Sequence, residues 1–117
     1  MMAPTAVLHD GELELVLGSA GSNRIRSAIL QTVVGVVDHG LSAEDAVCAP
    51  RAHFENGIVY AEPGVPIDRL RSSGHEIISF RDRNLFFGGV QAIRRDPVSG
   101  LLSGAGDPRR GGAVAAA

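Results

Sequence analysis

The order of elements predicts an α+β fold in which a largely antiparallel sheet is covered by helices. Three observations carry that expectation. Two hairpin-forming pairs, Asp10-Gly11 and Asn56-Gly57, each sit between short apolar runs. One stretch, residues 23–39, repeats its apolar residues at helical spacing. After it comes a series of short β-type segments with no second long helix.

Residues 6–8 and 13–17 are apolar or alternating and flank His9-Asp10-Gly11-Glu12, whose Asp-Gly pair favours a tight turn, so the chain should open with a β-hairpin. Residues 18–23 are small and read as a loop. Ile25, Ala28, Ile29, Val33, Val36 and Val37 then define a helix over residues 23–39, with Gly40 as its stop. Ser42 caps a shorter helix over 43–48, where Glu44 and Asp45 complement the helix dipole, and Pro50 turns Ala49 away from helical geometry. Strands over 52–55 and 58–61 meet at Asn56-Gly57. Pro66 opens a short helix over 67–73 that Gly74 ends. Strands follow over 76–80, 88–94 and 101–104, the last two joined by Asp96-Pro97-Val98-Ser99-Gly100, and residues 111–117 form a small-residue tail. There is no internal repeat and no linker, and the opening hairpin with its apolar helix presents edges and a face that a complete domain would cover.

Composition narrows the function classes. The 117 residues are 44% hydrophobic and 21% charged with a net charge of −2, which gives no electrostatic case for nucleic-acid or anionic-membrane binding. The single Cys48 cannot form an internal disulfide or a paired Cys/His metal site. No apolar run nears the roughly 18 residues a membrane span needs, and the first ten residues lack the basic and apolar regions of a signal peptide. As written, the chain is expected to be cytoplasmic, with the compartment of any intact relative left open.

The strongest local feature is the junction at 18–22, where a strand passes into a helix. Unpaired N–H groups there, with the positive end of the helix dipole behind them, suit an anion or a developing oxyanion, although a plain connection explains the same residues. The Rossmann spacing and the Lys-Ser/Thr ending of a phosphate loop are absent. His9, His39, His53 and His75 lie far apart and match no metal-binding spacing, so no metal and no cofactor is expected. No nucleophile elbow is present and no Ser-His-Asp set is assigned. Asp107-Pro108-Arg109-Arg110 reads locally as a solvated surface corner with an ion pair.

Taken in order, several of these segments resemble the small subunit of the gamma-glutamyltransferase family. Met2-Ala3-Pro4-Thr5 is similar to that family's Ser-Ser-Met-x-Pro-Thr segment, and Leu17 to Ile25 to its Gly-Ser-Pro-Gly-Gly-x-Arg-Ile loop and helix start. Ala46 with Ala49-Pro50-Arg51-x-His53, then Gly74-His75, Val90-Gln91-x-Ile93 and Asp107-Pro108-Arg109 match further on, so the resemblance covers almost the whole chain. It implies a partial N-terminal-nucleophile hydrolase fold, an αββα sandwich, with the chain as the C-terminal portion of a small subunit. It also implies chemistry by an N-terminal threonine that attacks a γ-glutamyl amide, such as that of glutathione, and an oxyanion held by backbone amides of a Gly-Gly pair.

That pair falls on Gly21 and Ser22, so the second glycine is replaced. The serines that hold the substrate carboxylate would precede Met2, where Met1 stands in the second position. The threonine nucleophile and the groups that grip the substrate amine have no counterpart here, and Thr5 matches a non-catalytic position. No catalytic residue is therefore expected in this chain. The expectation is a fragment of a gamma-glutamyltransferase or glutathione hydrolase, inactive by itself. Its expected partner is the upstream part of the enzyme, large subunit and start of the small one, or another copy of itself, with a γ-glutamyl compound bound only after assembly. The alternative is a non-catalytic interaction or scaffold module derived from that fold.

Overall fold

Local turn chemistry sets the frame of this computed structural model, which describes residues 2–116. Met1 and Ala117, to which the serine position and the end of the tail were assigned, lie outside the described residues. Strands β1 (Thr5–His9) and β2 (Glu12–Ala20) pair antiparallel across Asp10 and Gly11, whose φ values of 51° and 80° are those the Asp-Gly pair favours. Asn56 and Gly57, at 52° and 81°, do the same between β3 (Ala52–Glu55) and β4 (Ile58–Ala61). Helix α1 (Ile25–Val37) follows one 3₁₀ turn, Ser22–Arg24, and stops where Gly40 takes φ 64°. Helix α2 (Ala43–Cys48) is capped as its sequence requires, Ser42 Oγ accepting from the Asp45 N–H at 3.0 Å. The short α3 (Ile67–Arg71) leads to β5 (Glu76–Ser79), which joins β4 in parallel. A final antiparallel pair is β6 (Gly89–Arg95) and β7 (Leu102–Gly106).

One difference from the sequence reading matters for the site. Residues 18–20 belong to β2 and not to a loop, because β6 pairs with β2 as far as Ala20 opposite Gly89. The strands form two sheets, β1-β2-β6-β7 and β3-β4-β5.

Alternation along β2 and β6 decides what the larger sheet buries. Leu15, Leu17, Val90, Ala92 and Ala105 face inward and pack on Ala28 and Val36 of α1 and on Ala46 and Val47 of α2. Gly35 allows the two helices to close: a Cβ there would lie 3.3 Å from Ala46 Cβ. The opposite face carries Val16 and Ile93, which are exposed, above a shallow apolar groove of about 480 Å³ that Pro4 and Val114 border. The larger sheet is thus one helix layer against one sheet layer, with the sheet's second face bare among the described residues.

Candidate oxyanion loop and its ionic floor

Between β2 and α1 the chain must reverse within two residues, and both take positive φ: Gly21 at 136° and Ser22 at 56°. Gly21 admits no side chain, since a Cβ would fall 2.8 Å from Gly88 Cα. Ser22 sits in left-handed geometry, which costs an L-residue roughly 1–2 kcal/mol. Among the described residues neither the Ser22 nor the Asn23 N–H finds an acceptor, while Arg24 N–H closes the turn onto Gly21 O at 3.2 Å. These free donors stand at the positive end of the 13-residue α1. A recess of about 330 Å³ lies against the end of β2, bordered by Met2, Pro4, Ser19, Gly89 and Arg110.

The floor under Gly21 is Gly88, and a buried ionic cluster brackets it. Arg51 Nη1 donates to Phe87 O at 3.2 Å on one side; on the other, Asp107 Oδ2 accepts from the Val90 N–H at 2.8 Å. Arg51 and Asp107 themselves pair at 2.8 Å. Arg109 donates to Asp107 Oδ1 and, through Nε at 2.8 Å, to Glu62, whose other oxygen takes the Arg51 N–H at 2.9 Å. Both guanidinium groups also reach the unsatisfied carbonyls at the end of α2: Arg51 and Arg109 donate to Val47 O, and Arg109 to Ala49 O. One cluster therefore ties α2, the start of β3, the end of β4 and both ends of the β6–β7 hairpin together.

Burial shapes these charges. It tends to raise the carboxyls of Glu62 and Asp107, but hydrogen bonds outweigh it: from Arg109 and the Asn84 and Arg51 amides for Glu62, from the Val90 and Arg109 amides for Asp107. Both are held below the usual carboxylate range. Burial and the neighbouring Arg109 charge push Arg51 down, whereas Glu62 and Asp107 hold Arg109 up against its own burial.

This corrects the reading of Asp107 and Arg109 as a solvated corner: Asp107 is 0% exposed and Arg109 8%. The corner is buried because its partners, Arg51 and Glu62, come from distant segments. Sequence reasoning did not single out Glu62 or Gly88. A glutamate directly after the apolar Ile58–Ala61 strand and the Phe-Phe-Gly-Gly run were the available signals.

Of the four histidines, His9, His39 and His75 are exposed and His53 is buried in β3. Ser27 Oγ lies 2.7 Å from His53 Nδ1, and Glu55 Oε2 lies 3.6 Å from Nε2. With its imidazole 2% exposed, walled by Tyr60 and Phe86, His53 is closed to a substrate, so this set does not work as a nucleophile and base. Thr5 Oγ1 is spent on Ala3 O at 3.1 Å. Among the described residues no group of three potential metal ligands converges.

The family model for gamma-glutamyltranspeptidase matches residues 1–117. The glutathione hydrolase proenzyme of Escherichia coli (strain K12) is 36% identical over 112 residues, which is 92% of this chain and 19% of that protein. Among solved structures, CapD transpeptidase of Bacillus anthracis superposes with a TM-score of 0.82 at 31% identity, covering 99% of this chain and 70% of that one. A cephalosporin acylase from Bacillus halodurans gives 0.85 at 32% identity, covering 96% of this chain and 22% of that one. The chain spans about a fifth of the curated relatives it matches. The match along its whole length, together with the helix-on-sheet arrangement and the glycine-floored turn, means that this chain belongs to the gamma-glutamyltranspeptidase family.

Proposed function

We propose that the chain supplies the oxyanion-binding wall of a gamma-glutamyl hydrolase or transferase, as the C-terminal portion of its small subunit. In this reading the threonine nucleophile and the groups that grip the substrate amine come from the upstream part of the enzyme, and a γ-glutamyl compound such as glutathione is bound only in the assembly. Gly21 and Ser22 present backbone N–H groups to the tetrahedral intermediate, where preorganised donors stabilise charge that exists only after attack. The observation that carries this is the turn itself: two successive positive-φ residues, the first pressed on Gly88, with the Ser22 N–H free at the start of α1.

Mixing the chain with the complementary portion of a family precursor, and following release of a chromogenic anilide from its γ-glutamyl derivative, tests this reading. Turnover is expected only in the mixture. Gly21→Val in the mixture should lower kcat by roughly 10² with little change in KM, as for loss of an oxyanion donor. A folded Gly21→Val assembly with full kcat overturns the reading, and so does turnover by the chain alone that a substitution in it abolishes.

A further inference from the structure

The turn at Gly21 and Ser22 holds its shape against its own residue chemistry. A serine with φ 56° persists only where the surroundings over-determine it, and the Gly88 floor restrains Gly21 but not the chain beyond Ser22. The restraint on that side comes from the β3–β4 hairpin. Asn23 Nδ2, directly after the strained serine, donates to Glu55 Oε1 at 2.7 Å, across 32 residues of sequence. Arg24 Nη2 lies 3.7 Å from Glu55 Oε2, and its guanidinium stacks 4.2 Å above the Phe86 ring. His53 Nε2 faces the same Glu55 oxygen at 3.6 Å, is buried, and has no other partner among the described residues. Its Nδ1 is engaged by Ser27 of α1.

We infer that Glu55 is a positioning residue for the oxyanion loop: by gripping Asn23 and Arg24 while His53 orients it, its carboxylate sets the direction in which the N–H groups of the turn point. The inference rests on the reading of that turn proposed above. A neutral ring with its proton on Nε2 would direct that proton at Glu55, with Nδ1 accepting from the Ser27 O–H. The chain Ser27, His53, Glu55, Asn23 then runs from the first turn of α1 back to the residue after Ser22, so helix and loop are fixed to one carboxylate.

The same chain gives the loop a sensitivity to pH. The charged and titratable groups around His53 are Glu55 on its own strand, Arg24 and Arg26 at the start of α1, and Tyr60 on β4. Burial keeps the imidazole neutral to lower pH than usual, with Glu55 opposing and the two arginines adding to that effect. When it does take a proton, the cation competes with Asn23 and Arg24 for Glu55, and the turn should respond.

Amide hydrogen exchange and ¹⁵N spectra of the full chain test this. In Asn23→Ala and Glu55→Ala the Arg24 N–H, which bonds Gly21 O, should exchange about tenfold faster, while Leu17 and Val90 amides keep their rates. Glu55→Gln, which still accepts from Asn23, should restore the protection. In the unsubstituted chain the Ser22 and Asn23 amide shifts should titrate together with the His53 ring, and the step should vanish in His53→Gln. Unchanged Arg24 exchange in Asn23→Ala overturns the inference, as does a Ser22 step that survives His53→Gln. Equal acceleration at Leu17 and Val90 also overturns it, since that shows general loosening. These measurements read loop geometry alone, so they fail independently of the Gly21→Val turnover test.

Discussion

Arg109 lays its guanidinium along the Glu62 carboxylate with both groups sealed from solvent, 0% and 2% exposed at the side chain. Such a pair is costly to break from one side, because the surviving charge stays buried without compensation. Arg109→Met should therefore destabilise the chain by about 3–5 kcal/mol in urea unfolding. The double variant Arg109→Met with Glu62→Gln should recover part of that loss, and a deficit that is simply additive would mean that the two residues do not act as a pair.

The two positive-φ residues of the turn should respond to substitution with opposite signs. Gly21→Ala meets Gly88 and forces a β-carbon into unfavourable geometry, a loss of about 1–3 kcal/mol. Ser22→Gly relieves strain at the cost of chain entropy, so stability should hold or rise by up to ~1 kcal/mol. Thermal unfolding of both variants checks the pair of signs.

Acid should unfold the chain in two stages. His53 is held below its ordinary 6.5 by burial, so below that pH the unfolded chain binds a proton the folded one refuses, and stability falls as pH falls. Glu62 and Asp107 are held below 4.5 and 3.8; the stability they contribute is present above those values and disappears as pH drops towards their lower folded ones. The urea midpoint should begin to decline below pH 6.5 and steepen below 4.5, and His53→Gln should remove the first decline alone.

The bare face of the larger sheet predicts association. Val16 and Ile93, 40% and 53% exposed, lie opposite each other across β2 and β6 above the apolar groove. Sedimentation of the chain should show concentration-dependent self-association, and Ile93→Lys should shift it towards monomer without lowering Tm.

How far sequence reached depended on the range of each interaction. Asp10-Gly11, Asn56-Gly57, the Ser42 cap and Gly40 act on their neighbours, so the hairpins and the helix ends were legible. The end of β2 was not: Gly18, Ser19 and Ala20 look like a loop until β6, more than sixty residues on, holds them in the sheet. The turn at Gly21 and Ser22 was legible because a local pattern and a family resemblance met there. Its floor at Gly88 was not, and neither was the burial of Asp107 and Arg109, whose partners Arg51 and Glu62 no local pattern connects to them.

The ionic cluster also orders events in time. Arg109 bonds Glu62 across 47 residues and Val47 across 62, so the cluster cannot close on a growing chain until its late segment has been made. At ribosomal speed the gap between Glu62 and Arg109 corresponds to roughly 2–10 s. For that interval the carboxylate of Glu62 lacks its guanidinium partner, and so does the Ala49 carbonyl at the end of α2, while Val47 O has only Arg51. Native closure is then a late, non-local step that follows the quick local formation of the two hairpins and α1. A ribosome that stalls within this window holds a chain with its turns made and its charges still in water.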